Sequence, residues 1–118
     1  MNIALPIPPS VNQLYRQNAF GKGRGRTITP AYSEWRIDAY ARIRLARSRP
    51  IAKPYAVCIR ININHNSDID NRVKAILDAL VATRVIAGDQ WVDDCRIIRD
   101  ASVEACEVEI WSLGDSDA

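Results

Sequence analysis

The sequence is poor in the side chains that build sulfur and nitrogen metal sites. It has three cysteines, Cys58, Cys95 and Cys106, and one histidine, His65. An odd number of widely spaced cysteines without a C-x-x-C pair argues against a disulfide framework and against a zinc site. We therefore expect all three cysteines to be small buried hydrophobic residues. A single histidine argues against mechanisms that need several histidines as ligands or proton carriers.

Long apolar segments are also absent. No apolar run approaches the ~20 residues that are needed to cross a bilayer. The first residues, Met1–Pro6, lack the charged region and the apolar core of a signal peptide. We therefore expect a cytoplasmic protein with no membrane partner. With 47% hydrophobic residues in 118, the chain fits a single globular domain over residues 1–118.

The net charge of +2 conceals a strong asymmetry along the chain. Residues Met1–Asn64 contain 11 basic and 2 acidic side chains, a net charge of +9, and His65–Ala118 contain 5 basic and 12 acidic, a net charge of −7. This segregation is typical of a basic surface for a polyanion with an acidic cluster elsewhere. The alternative is that the two halves interleave in the fold and their charges cancel.

Hydrophobic periodicity predicts an α/β (α+β) domain, with a small mixed sheet of about four strands packed with two helices in the order β-α-β-α-β-β. The predicted strands cover Ile3–Ile7, Tyr55–Asn64, Ile97–Val103 and Cys106–Leu113. The predicted helices cover Pro30–Arg47, with Thr29 as N-cap, and Asp70–Ala82. We expect the last two strands to be antiparallel neighbours and Ser10–Asn18 to be a loop.

An acidic pair, Asp68 and Asp70, directly follows the clearest predicted strand. A third carboxylate, Asp94, precedes the strand predicted to start near Arg96. If the two strands are adjacent, the three carboxylates meet at one edge of the sheet and can hold one or two Mg²⁺ ions, which prefer oxygen ligands. Such ions activate water in phosphodiester cleavage. Lys74, one helical turn on, could contact the scissile phosphate.

The acidic residues also have a simpler interpretation. Asp68 or Asp70 could cap the following helix, and Asp93-Asp94 could be a solvated turn. Similarly, the basic loop Gly21–Arg26 could contact phosphates or form a solvated hairpin tip, and it lacks the spacing of a nucleotide-binding loop.

Several of these residues together resemble a known family. The run D-x-D-N-x-x-K-x-x-x-D-A-L, from Asp68 to Leu80, is followed by Trp91-Val92-Asp93-Asp94, and Pro8-Pro9-Ser10-Val11-Asn12 lies near the N-terminus. This order of motifs, in a chain of this length, resembles the RusA family of phage-derived Holliday junction resolvases.

The resemblance implies a homodimeric, Mg²⁺-dependent endodeoxyribonuclease, in which Mn²⁺ can replace Mg²⁺ and no nucleotide cofactor is needed. It would nick two opposing strands of four-way junction DNA symmetrically in recombination and repair. The metal-binding and catalytic carboxylates would be Asp68, Asp70 and Asp94, with Lys74 as a catalytic base or phosphate contact. Binding that selects for structure should depend on phosphate contacts, which Arg16, Lys22, Arg24, Arg26, Lys74 and the arginines of the first predicted helix could provide.

The match has one departure, because the stretch between Leu80 and Asp93 is longer here than in the family pattern. Asp89 therefore competes with Asp93 for a secondary acidic role. Two other functions stay open from the residues alone: a non-catalytic junction-binding or DNA-binding protein, and a nuclease that acts on forks and flaps.

Overall fold

A computed structural model describes residues 1–17, 26–47 and 49–114, and within these ranges six strands and two α-helices form. The strands are β1 (Asn2–Leu5), β2 (Tyr15–Gln17), β3 (Arg26–Ile28), β4 (Tyr55–Ile61), β5 (Val92–Arg99) and β6 (Cys106–Ser112). The helices are α1 (Pro30–Ala46) and α2 (Val73–Ala82). Four strands form a mixed sheet in the order β1-β6-β4-β5, and β2 and β3 form a separate hairpin. The predicted α+β class and the order of the main elements are confirmed.

The strand order corrects one prediction, because β5 and β6 are not neighbours. Both flank β4: β5 runs parallel to it and β6 antiparallel. The alternating side chains of β4 on the core side, such as Val57 and Ile59, are fully buried, and even Ala56 on the other face is buried. A strand so enclosed occupies the centre of a sheet and needs a partner on each side.

The start of β5 was also predicted too late. The strand begins at Val92 rather than at Ile97, because the ladder with β4 extends from the pair Tyr55–Val92 to the pair Ile61–Arg99. Backbone pairing with a central strand brings a polar segment into the sheet even where its own side chains show no apolar alternation.

The segment Ser10–Asn18, predicted as a loop, contains regular structure. A 3₁₀ turn covers Val11–Gln13, and β2 then pairs antiparallel with β3 in a register from Tyr15–Ile28 to Gln17–Arg26. The strands are three residues each and polar, so the sequence has no alternation to reveal them. The basic loop between them, residues 18–25, lies outside the described residues.

Helix α1 begins as predicted. The side-chain oxygen of Thr29 accepts a hydrogen bond of 3.3 Å from the backbone N–H of Tyr32, and Pro30 occupies the first turn. Its apolar residues at spacings of four, Trp35, Ala39 and Ile43, are buried.

Helix α2 starts three residues later than predicted, because a 3₁₀ turn at Asp70–Arg72 precedes it. Its buried residues pack with those of α1 against one face of the sheet to form the core. The larger members of this core are Ile3, Leu5, Trp35, Ile43, Val57, Ile59, Ile61, Ile76, Leu80, Val108 and Ile110.

The cysteines follow the prediction at two of three positions. Cys58 and Cys106 are buried, whereas Cys95 is exposed, because it lies in the edge strand β5. Among the described residues, no helix is both long enough and apolar enough to span a membrane.

Candidate metal and DNA-binding site

The aspartate pair lies where the chain turns from β4 into α2. Asp68 and Asp70 are both exposed, and their carboxylates make no hydrogen bond or ion pair with any residue that the structure describes. Neither the 3₁₀ turn nor α2 has a side-chain N-cap hydrogen bond. The alternative that these aspartates cap the helix is therefore wrong, and both carboxylates can accept a cation without losing a partner.

Arg99 anchors the segment that leads to this pair. Its Nη1 donates to the carbonyl oxygens of Ile63, at 3.3 Å, and Asn64, and its Nη2 donates to that of Ser67 at 3.2 Å. Arg99 is the last residue of β5 and pairs with Ile61, so it reaches the chain just beyond the end of β4. One guanidinium thus holds the backbone up to the residue before Asp68.

The sequence reasoning missed Arg99, although a signal exists. Along β5 the residues Cys95, Ile97 and Arg99 follow one another at a spacing of two, beside the core-facing residues of β4. Arg99 is half-buried at the end of this row and needs local partners, because burying an unpaired charge is unfavourable. Here the backbone carbonyls of the following segment are those partners.

The turn before the pair is further closed by local hydrogen bonds. The Asn64 side-chain oxygen accepts from the backbone N–H of Asn66 at 2.9 Å, and the Asn64 carbonyl accepts from the N–H of Ser67 at 3.2 Å. His65 lies exposed in this turn. These bonds and Arg99 together give the exposed carboxylates a defined backbone support.

Lys74 lies in the first turn of α2, one helical turn beyond Asp70. Its Nζ is 3.3 Å from Oδ2 of Asp78, and its side chain is 54% exposed. An exposed ion pair of this kind contributes little stability, so the lysine can exchange Asp78 for another anion.

Asp94 lies elsewhere in the protomer. In the parallel register it pairs with Ala56, five residues before Ile61 at the other end of β4. At a rise of about 3.3 Å per residue, that separation is about 16 Å along the strand. The described residues contain no group of three or more His, Cys, Asp or Glu side chains that could hold a metal ion. The prediction that Asp94 reaches the same edge of the sheet as the pair is therefore wrong within one protomer.

Asp94 also has a partner of its own. Arg96 contacts both carboxylate oxygens at 3.2 Å, and this hydrogen bonding raises the pKa of Arg96. The neighbouring Cys95 has a raised pKa, first because the sheet partly desolvates its thiol and then because of the negative charge of Asp94. Asp89 and Asp93 are exposed, at the 3₁₀ turn before β5 and within β5.

The predicted DNA contacts divide between described and undescribed segments. Arg16 is exposed in β2 and Arg26 lies in β3, whereas Lys22 and Arg24 fall outside the described residues. The Val11–Gln13 turn, which precedes this hairpin, packs against the Asp70–Arg72 turn. The hairpin strand that contains Arg16 therefore follows a segment that lies close to Asp70.

Two tryptophans complete the exposed groups near Asp94. Trp91 is 40% exposed and Trp111 is 38% exposed, so neither belongs to the core. The Nζ of Lys53 lies 4.0 Å from the ring centroid of Trp91.

Together these features define a small mixed-sheet domain with an uncapped aspartate pair at a strand-to-helix turn and a basic hairpin beside it. The profile of the family described as "Endodeoxyribonuclease RusA" matches residues 6–111. The chain belongs to this family.

Curated relatives agree with this membership. A protein of Escherichia coli O139:H28, named "Crossover junction endodeoxyribonuclease RusA", is 34% identical over 120 aligned positions that cover 97% of this chain and 96% of its own. Proteins of the same name from Escherichia coli strain K12 and from Enterobacteria phage 82 are each 35% identical over 102 positions, which cover 83% of this chain and 81% of theirs.

Proposed function

We propose that this protein is a cytoplasmic, Mg²⁺-dependent endodeoxyribonuclease that resolves four-way DNA junctions in recombination and repair. It acts as a homodimer, nicks two opposing strands symmetrically and needs no nucleotide cofactor. The observation that carries the proposal is the pair Asp68 and Asp70, exposed, uncapped and without a partner among the described residues. Membership of the RusA family supports a metal-binding role for that pair.

The donor set of the pair suits a hard divalent cation. Both side chains offer only carboxylate oxygens, which Mg²⁺ prefers and Mn²⁺ also accepts. When bound, the ion supplies an activated water and neutralises charge on the phosphate. Asp68 and Asp70 would hold the ion, and Arg99 supports the backbone that precedes them.

Asp94 joins this site from the partner protomer. Within one chain it is separated from the pair, but it lies on β5, the edge strand of the sheet. Antiparallel pairing of β5 with its copy across a twofold axis brings the start of one β5 beside the end of the other. The end of β5 carries Arg99, which holds the segment before Asp68. The partner's Asp94 then approaches the aspartate pair of the first protomer.

Lys74 contacts the scissile phosphate. Its exposed ion pair with Asp78 gives way when a phosphate oxygen enters the site, because the pair is weak in water. The ammonium group then stabilises negative charge that develops on the phosphate during cleavage.

The basic residues near the N-terminus of the chain bind the DNA backbone. Arg16, Lys22, Arg24 and Arg26 contact phosphates of the arms, so selectivity depends on the shape of the junction rather than on base sequence. A twofold-symmetric dimer presents two such sites to a junction with approximate twofold symmetry. Each site then cuts one of two opposing strands.

A cleavage assay tests the proposal directly. A synthetic four-way junction, a fork and a linear duplex, each end-labelled, are incubated with the protein in Mg²⁺, in Mn²⁺ and in EDTA, with Asp70→Asn as the matched variant. We expect paired nicks in the four-way junction that disappear in EDTA and in the variant. Equal cutting by Asp70→Asn, or cutting that resists the chelator, contradicts the proposal. Tight binding without nicks identifies a junction-binding protein instead, and preferential cutting of the fork identifies a fork nuclease.

A further inference from the structure

Helix α1 carries two arginines on either side of a tyrosine. Arg36, Tyr40 and Arg44 are spaced by four residues and therefore lie along one side of the helix, in a group that we call the arginine row. The guanidinium carbons of Arg36 and Arg44 are 5.6 and 5.7 Å from the centroid of the Tyr40 ring. Nε of Arg36 also donates a hydrogen bond of 3.1 Å to the Tyr40 hydroxyl.

These contacts fix the direction of both arginines. Tyr40 is half-buried and packs against the core, so its ring is a firm support. Arg36 lies over a second ring as well, 5.3 Å from the centroid of Tyr32, which is only 2% exposed. A guanidinium that is held over a ring in this way has lost much of its side-chain freedom before any ligand arrives.

The charge of the arginine row is not neutralised within the described residues. Neither Arg36 nor Arg44 forms an ion pair there, whereas Arg42, on the opposite side of α1, binds Asp38 at 2.8 Å. The same helix thus contains an arginine that is paired with a carboxylate and two that are held by tyrosine side chains. Two oriented, uncompensated guanidinium groups are suited to phosphate, which they can bind through several N–H donors.

The position of the row relates it to the aspartate pair. Helix α1 is capped by Thr29, whose hydroxyl donates to the carbonyl of Gln13 at 2.6 Å. The Val11–Gln13 turn also lies against the Asp70–Arg72 turn. The start of α1 therefore lies near the turn that carries Asp70, and the arginine row lies about two to four helical turns further along α1. Arg36 and Arg44 are about 12 Å apart along the helix axis, which corresponds to three or four base pairs of duplex.

We propose that Arg36 and Arg44, oriented by Tyr40, bind backbone phosphates of a DNA arm that extends away from the aspartate pair. This inference rests on the proposed function, because it takes DNA as the ligand. The arginine row contributes to the affinity for DNA and to its salt dependence, and it does not take part in the cleavage step. Its contacts are to phosphates, so they are independent of base sequence.

The salt dependence of binding tests the row. The dissociation constant of a four-way junction is measured in EDTA over a series of KCl concentrations for the wild type, for the double variant Arg36→Gln with Arg44→Gln, and for Arg42→Gln as the matched control. A plot of the logarithm of the dissociation constant against the logarithm of the KCl concentration has a slope that each lost phosphate contact reduces by about 0.9. We expect the double variant to lose about 2 from the slope and Arg42→Gln to lose none.

Two further variants separate phosphate binding from packing. The double variant Arg36→Lys with Arg44→Lys keeps both charges and should keep most of the slope, while Tyr40→Phe should weaken binding only a few-fold because the ring remains. Equal slopes in the Gln double variant and in Arg42→Gln overturn the proposal, and so does an equal loss of slope in the Lys and Gln double variants.

The outcome is separable from that of the proposed function. If the wild type cuts no junction but the salt dependence of binding is reduced in the Gln double variant, the proposed junction cleavage is wrong and the proposed phosphate contacts of the arginine row are supported. If the wild type cuts junctions and the slopes are equal, the arginine row alone fails.

Discussion

Nη2 of Arg99 donates a hydrogen bond of 3.2 Å to the carbonyl oxygen of Ser67, the residue before Asp68. The same guanidinium also binds the carbonyls of Ile63 and Asn64. The end of β5 thus supports the segment that presents the aspartate pair, although the two are more than thirty residues apart in sequence. Positioning of this kind determines how well exposed carboxylates converge on a cation.

Replacing Arg99 tests this support. Arg99→Leu retains an aliphatic side chain but removes every hydrogen-bond donor of the guanidinium. The segment before Asp68 should therefore become more mobile. We expect the Mg²⁺ concentration for half-maximal junction cleavage to rise about tenfold or more, as for other residues that orient metal ligands. The free energy of unfolding should fall by about 2 kcal/mol. Cleavage is measured over a Mg²⁺ series and stability by urea denaturation. Unchanged Mg²⁺ dependence at reduced stability would assign Arg99 a purely structural role.

Lys74 and Asp78 form an ion pair, and we expect the two residues to differ in their effect on the rate of cleavage. Lys74→Ala removes the charge that stabilises the phosphate, and we expect the rate at saturating DNA and Mg²⁺ to fall about 100-fold or more. Asp78→Asn leaves the lysine available and should change the rate less than fivefold. Both variants should be within about 0.5 kcal/mol of the wild type in stability, because the pair is exposed. Equal rate losses in the two variants would mean that the ion pair itself is needed.

Mixed dimers test whether Asp94 of one protomer contributes to the metal site of its partner. Asp70→Asn and Asp94→Asn subunits, each inactive alone, are co-expressed with different tags, and the mixed dimer is purified through both. If each site combines Asp70 of one protomer with the partner's Asp94, one site of the mixed dimer carries both changes and the other carries neither. We expect this dimer to nick one strand of the junction. Mixed dimers that are as inactive as either parent would place all three carboxylates in one chain.

Cys106 makes stability sensitive to alkaline pH. Burial raises the pKa of its thiol to about 12, from 9.0, with a smaller contribution from the charge of Glu107. Because the folded-state pKa is raised, the contribution of the thiol is complete below pH 9 and is lost as the pH rises toward 12. Cys106→Ala should be destabilised by about 1 kcal/mol at pH 7 through lost packing. The difference from the wild type should narrow above pH 9. Parallel urea curves at pH 7, 9 and 10 measure it, and a constant difference would contradict the effect of the thiol.

The local patterns of the chain predicted the elements that bury apolar side chains at a regular spacing. Helix α1 with its Thr29 cap and strand β6 from Cys106 agree with the structure within one or two residues. The polar elements could not be predicted in this way. The β2–β3 hairpin and the first half of β5 are held by backbone pairing, which does not depend on an apolar pattern.

The sequence by itself determined the family, the α+β class and the aspartate pair at the junction of β4 and α2, because these depend on residue type and on spacing within one segment. The tertiary structure decided that Asp68 and Asp70 cap no helix, that Arg99 supports them, and that Asp94 lies about 16 Å along the sheet from their end of β4. The physical reason is strand pairing. Hydrogen bonding over the whole sheet determines which strands are neighbours and in which register they pair. The register then determines which distant residues lie at the same edge of the sheet.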